Sequence, residues 1–301
     1  MSVNTSRLEC ITKQRSLLMH DTFLLFSTLI GAFLTNHFLK MGLLASLSAS
    51  IAGGVIGSYV VVKRIVFISG SIAHSVLGGM GIALYLKRVY HIDWLEPIYG
   101  ALVAAILSAF LIGWIRLYYK QREDTVIAAL WAFGMSIGVI FISLTPGYNV
   151  ELTSFLFGSI LWTSTADIYM LLTLDALVLI ATLLFHSRFL AICFDEDQAA
   201  LQGQRVKALY FLLLSLVAIT VVLLIQVVGA ILVIAILSLP AAIANTFTHR
   251  LSKMMGIAVL IGVLISILGM SLSYFFNWPP GATISLTATA LYLLNLIRRK
   301  G

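Results

Sequence analysis

Long apolar runs broken only by short polar turns constrain this chain more than any other feature. Ten such runs can be read, at 17–38, 42–62, 66–86, 96–117, 125–145, 165–186, 208–226, 228–245, 254–276 and 282–297. Each is close to the roughly 20 residues that cross a bilayer as a helix. A transmembrane barrel would instead show weak, alternating segments of about ten residues. With 60% hydrophobic and 10% charged residues, the 301-residue chain cannot cover a soluble surface of its size. The expected fold is an all-α, polytopic membrane protein with eight to ten spans. Residues 1–16 form a polar tail, and 17–301 a single transmembrane domain. The tail and the first run show no small-residue cleavage pattern, so that run reads as a retained segment rather than a signal peptide. It carries Asn36 and His37, and either crosses or lies against the bundle.

The net charge of +7 comes from basic clusters in the turns: Lys63/Arg64, Arg116/Lys120/Arg122, Arg188/Arg205/Lys207, Arg250/Lys253 and Arg298/Arg299/Lys300. Basic loops stay cytoplasmic, and one alternating path puts all five there. The charge therefore sets topology and argues no nucleic-acid partner. Lys87/Arg88 falls on the wrong side of that path. Residues 208–245 leave only 38 positions between two cytoplasmic loops, so the chain must break or re-enter near 226–245, around Gln226–Gly229. Irregular backbone at that depth is tolerated only inside protein or along a cavity. Cys10 and Cys193 form neither a disulfide framework nor a ligand pair.

Two stretches carry candidate chemistry. His74 lies inside the run 66–86 among small residues, Ser71, Ser75, Gly70, Gly78, Gly79 and Gly81. Ionisable groups in spans usually face a bundle interior or a substrate path; the bland alternative is an imidazole satisfied by a backbone carbonyl. Asp175 lies among apolar neighbours and must be partnered, neutral or hydrated. Asp167 begins a run and reads as a helix cap. Glu151 lies on the outer side. Trp94, Trp114, Tyr118, Tyr119, Trp162 and Trp278 fall near span ends, as interfacial belts do. The loop from about 187 to 207 contains Asp195, Glu196 and Asp197, then Ala199, Ala200 and Gly203. Acids first and glycine last suggest a short helix. It is either a solvated loop helix or a docking helix for a cytoplasmic subunit.

The ordered set of motifs resembles the permease subunits of bacterial ABC importers for zinc, manganese or iron. The set runs through Gly57-Ser58, Lys63-Arg64, Phe67 and Ala73-His74-Ser75-Val76-Leu77. It continues at Glu123-Asp124-Thr125, Ser154 through Leu161, Phe194-Asp195 through Ala200 and Gly203, and Val227-Val228-Gly229-Ala230. Pro240-Ala241-Ala242, Leu268-Gly269, Ser273-Tyr274 and Pro280-Gly281 complete it. The resemblance implies a homodimeric permease in the bacterial inner membrane, with a cytoplasmic ABC ATPase and an extracytoplasmic metal-binding protein as partners. It implies a divalent metal as cargo, ATP bound only by the partner chain, and Asp195, Glu196, Ala199, Ala200 and Gly203 as the ATPase contact. The chain has no phosphate loop of the GxxxxGK[ST] type, in keeping with a transport subunit rather than an enzyme.

The resemblance also leads one to expect an aspartate four residues before His74, one turn away on the same face. Gly70 stands there instead. One imidazole with the Ser71 and Ser75 hydroxyls is a poor divalent site. The metal is then met by two His74 copies across a dimer axis, by an acid from another helix, or in a chelated form. A chelate importer of the siderophore or cobalamin type is the second reading. A secondary transporter using His74 and Asp175 is the third, although the acidic loop would then have no purpose. A non-transporting scaffold leaves the break near Gly229 without a reason.

Overall fold

A computed structural model of the chain describes residues 31, 35–119, 123–147, 155, 158 and 160–300. The tail 1–16, Cys10, His20, Glu151 and most of the run 17–38 lie outside the described residues. So do Lys120, Arg122 and half of the 154–161 motif. Ten α-helices are described: α1 (His37–Val62), α2 (Val66–Val89), α3 (Pro97–Tyr119), α4 (Glu123–Leu144), α5 (Thr165–Phe194), α6 (Glu196–Leu201), α7 (Val206–Val228), α8 (Ala230–Ala244), α9 (Leu251–Phe276) and α10 (Pro280–Lys300). A single 3₁₀ turn, Ile160–Trp162, precedes α5. Eight of the helices are long and apolar enough to cross a membrane, so this is a multi-pass, all-α membrane protein. α6 and α8 are the short ones.

Local sequence sets the helix ends. The Asn36 side chain accepts from the Phe38 amide at 3.0 Å and starts α1. Ser164 and Asp167 form a capping box at the start of α5, with Asp167 accepting from the Ser164 amide at 2.9 Å. Asp167 is therefore a cap, as its position suggests. At the α1–α2 turn the amide of Ile65 reaches the Val60 carbonyl and that of Arg64 reaches Val61, with Arg64 left-handed at φ 61°. That is a Schellman closure.

α1 is the most enclosed helix, packed by α5, α7, α8 and α9. α2 packs chiefly on α3 and α4, and α7 joins the two groups by touching α1, α2, α3 and α5. The α2–α4 contact is made backbone to backbone. A Cβ on Gly78 would lie 2.8 Å from the Gly134 carbonyl oxygen, and one on Gly81 would lie 2.8 Å from that of Gly138. Small residues spaced three apart on α2 and four apart on α4 allow this approach where lipid supplies no hydrophobic drive between helices.

Side-chain contacts tie the basic clusters to one end of the bundle. Lys63 and Arg116 both reach Glu196. His186 bridges Tyr59 and Ser252, each at 2.9 Å, and Asn295 donates to Thr246 at 3.3 Å. The other end holds Lys87 and Arg88. Lys87 pairs with Glu96 at 2.6 Å, and Arg88 donates to the Pro146 carbonyl at 3.3 Å. The two charges that strain the positive-inside pattern are thus matched locally.

The break falls where the residue count requires it. α7 ends at Val228, Gly229 takes φ 84°, and α8 starts at Ala230. With 15 residues, α8 is about 22 Å long, short of the ~30 Å core. Val227, Val228 and Ala230 are buried, and Gly158, at φ 75°, lies against the Val228 and Gly229 backbone. The irregular backbone is covered by protein, as lipid demands.

Replacing Gly138 by Leu should force α4 off α2 at an overpacking cost of about 1–3 kcal/mol. A lower melting midpoint and yield of detergent-extracted protein, with no such loss for Gly256→Leu, is the expected outcome. A Cβ at Gly256 would meet nothing within 4 Å.

Candidate functional site

His74 sits on α2, eight residues beyond Val66 and thus about 12 Å into the helix. Its ring stacks on the Trp131 indole of α4, with centroids 4.3 Å apart and planes 7° from parallel. Its Nδ1 is buried and has no hydrogen-bond partner among the described residues. The backbone carbonyl that the bland reading supplies to this atom is not present there. A buried polar atom left this way costs about 1–3 kcal/mol and calls for an explanation.

One turn earlier, the Cα of Gly70 is buried, yet a Cβ there would meet nothing within 4 Å. Open space therefore stands where an acidic side chain would point. Ser71 is fully buried, and its hydroxyl donates to the Ile127 carbonyl of α4 at 3.0 Å. Ser75 donates to Ser71 at 2.9 Å and to Leu130 at 3.3 Å. These two hydroxyls fasten α2 to α4. Among the described residues no three His, Cys, Asp or Glu side chains converge as a metal cluster.

Asp175 is 5% exposed and faces α1. One carboxylate oxygen accepts from the Ser48 hydroxyl, and the other from the Ala52 amide at 3.1 Å. The structure does not bring it to His74: α5 packs on α1 and α7, α2 on α3 and α4. The carboxylate is partnered, which is what its depth requires.

The loop helix forms as its sequence suggests. Asp195 caps α6, accepting from the Asp197 and Gln198 amides at 2.9 and 3.0 Å. Gly203 ends it at φ 76° with a second Schellman closure, Gly203 N–H to Ala200 and Gln204 N–H to Ala199. The helix has two faces. Ala199 is buried and Glu196 turns inward towards Lys63 and Arg116. Ala200 and Leu201 face out, Leu201 being 89% exposed, with Phe194 beside them.

Trp131, Lys63 and Arg116 are partners that motif reading misses. Trp131 had one signal: among the five tryptophans it is the one far from a span end. The Lys63–Glu196 pairing joins residues more than 130 positions apart and leaves no trace in local spacing.

The profile of the ABC 3 transport family matches residues 35–299. A probable metal transport system membrane protein of Chlamydia pneumoniae is 49% identical over 257 residues, covering 85% of this chain and 87% of that protein. The manganese transport system membrane protein MntC of Listeria monocytogenes is 32% identical, covering 85% and 89%. The solved structure of PsaBC from Streptococcus pneumoniae in complex with Fab superposes with a TM-score of 0.79. That match has 28% identity and covers 90% of this chain and 95% of that one.

Removing the Asp175 carboxylate should loosen α5 from α1. Asp175→Ala strands the buried Ser48 hydroxyl and should cost about 1–3 kcal/mol. Asp175→Asn, which keeps an acceptor, should cost less. Thermal melts of the two purified variants against the parent check the order.

Proposed function

The chain belongs to the ABC 3 transport family, and from that footing we propose that it is the permease of an ATP-driven importer carrying a divalent transition metal, manganese before zinc or iron, into the cytoplasm. The observation that carries this reading is the buried Nδ1 of His74, with no hydrogen-bond partner among the described residues, one helical turn from the open space at Gly70. A neutral imidazole nitrogen of this kind is a metal donor without a hydrogen-bond competitor. The relatives named for metal and manganese transport support the cargo class. A path with one imidazole and no neighbouring acid binds weakly, and a transported ion must leave as readily as it enters. Two copies of the chain, each offering His74 to a shared axis, complete the path. Ser71 and Asp175 hold the walls together in this reading, and His74 touches the cargo.

ATP binding and hydrolysis take place on a separate cytoplasmic subunit, and an extracytoplasmic binding protein delivers the metal. The outward face of α6, with Phe194, Ala200 and Leu201, is the surface that the ATPase holds. Movement of α6 then switches α2 and α4 between outward and inward access. The space at Gly70 also favours a second reading, a metal carried inside a chelate, because a larger cargo needs room where an acid would stand.

The test is metal uptake in a bacterium stripped of its own zinc and manganese importers, with this chain expressed alongside its neighbouring ATPase and binding protein. His74→Phe keeps the ring stack on Trp131 but removes both nitrogens. It should lower manganese uptake at least tenfold with unchanged membrane abundance. Uptake that persists in His74→Phe overturns the assignment of His74. Uptake of chelated metal alone transfers the reading to the chelate. Separately, Leu201→Glu should reduce co-purification of the ATPase while leaving the permease folded.

A further inference from the structure

Glu196 opens α6 yet faces away from the surface that the ATPase would hold. Its carboxylate lies 2.5 Å from the Lys63 ammonium and 3.1 Å from the Arg116 guanidinium. Lys63 also donates to the Ile192 carbonyl in the last turn of α5. The Lys63 side chain is only 7% exposed, against 29% for Glu196 and 23% for Arg116. Arg116 in turn lies over the Tyr210 ring of α7, 4.7 Å from its centroid. One carboxylate thus ties the first turn of α6 to the cytoplasmic ends of α1 and α3, and through these cations to α5 and α7.

Exposed ion pairs contribute little. Lys63 differs because it is desolvated: among the described residues, Glu196 is its one bridging carboxylate. Drawing Glu196 away would leave a buried ammonium uncompensated, which is strongly unfavourable. Lys63 must therefore follow Glu196 when α6 moves. The turn that carries Lys63 is short and stiff. Residues 63–65 are closed by three backbone hydrogen bonds, from Lys63 to Tyr59, Arg64 to Val61 and Ile65 to Val60, and Ile65 is buried. Displacement of Lys63 is passed into α2 rather than absorbed, and α2 carries Gly70 and His74 within its first nine residues.

We propose that Glu196 is a positioning residue that converts displacement of α6 into displacement of α2, acting through Lys63 while Arg116 holds the carboxylate against α3 and α7. The proposal rests on the permease reading and separates two functions within one six-residue helix. Ala200 and Leu201 take hold of the ATPase; Glu196 transmits its motion to the face that bears His74.

The experiment uses the complex of this chain with its ATPase in proteoliposomes and reads the α2 face directly. A Gly70→Cys substitution places a thiol in open space. Its labelling rate by a membrane-impermeant maleimide is followed by peptide mass spectrometry, with and without ATP and vanadate, so that Cys193 needs no replacement. The expected result is a nucleotide-dependent change in labelling in the parent that falls at least tenfold in Glu196→Gln and in Lys63→Met. The double variant should be no worse than either single one. Lys63→Arg, which keeps the pair, should retain the response, and the ATPase should co-purify with every variant. This last readout separates transmission from docking. A nucleotide response of parental size in Glu196→Gln and Lys63→Met overturns the proposal. So do loss of the ATPase from Glu196→Gln, effects that multiply in the double variant, or a parent whose labelling ignores nucleotide. Labelling that responds normally, together with no uptake of manganese, zinc or iron by the chain that keeps Gly70, refutes the cargo assignment and leaves the transmission through Glu196 standing.

Discussion

The bilayer core offers no water, so every backbone polar group in it must be satisfied by the protein itself. The rest of the structure depends on that constraint. It makes eight long helices the spanning elements, and it decides where the chain is allowed to be irregular. The deep break at Gly229 is enclosed by buried neighbours and by the Gly158 backbone. The same rule extends to side chains. Ser71 and Ser75 spend their hydroxyl protons on carbonyls of α4, and Asp175 accepts from a hydroxyl and an amide of α1. Among the described residues the His74 Nδ1 is buried without a hydrogen-bond partner, as are the Thr182 and Thr220 hydroxyls, and of the three it is the one that ligates metals readily.

The helix that bears His74 also meets α4 backbone to backbone. Gly78 and Gly81 meet Gly134 and Gly138 without side chains between them. Such a contact is held by van der Waals packing rather than by exclusion of water. Two serine hydroxyls and the His74–Trp131 stack, all within residues 71–75 of α2, pin it along a single turn. In the proposed coupling, α2 and α4 therefore move as a pair. A push on the start of α2 reaches His74 with its indole neighbour in place.

The proposed push has a physical route at the end of the bundle that carries α6. Four helices end around Glu196, and the cations that neutralise it are themselves tied to a helix carbonyl and an aromatic ring. The acids of α6 thus divide their work. Asp195 builds the helix by capping it, Asp197 faces solvent, and Glu196 anchors the helix to the bundle.

By itself the sequence determined the membrane fold, the positions of most spans to within a few residues, the break at Gly229 and the short helix over 196–201; it ended the span at 186 and began a loop at 187, where α5 continues to Phe194. These features follow from local physics: apolar run length against bilayer thickness, capping oxygens at helix starts, and glycine where φ is positive. It also singled out His74, Asp175 and Gly70 as the positions where polarity and depth disagree. Whether each of these was satisfied depended on partners far along the chain. Only the tertiary structure decided that Asp175 faces Ser48 and Ala52, that Ser71 binds the α4 backbone, that His74 Nδ1 has no partner and that Glu196 turns inward to Lys63. The reason is geometric. Helical periodicity fixes which residues share a face, but the face's neighbour is chosen by packing among helices separated by a hundred residues or more.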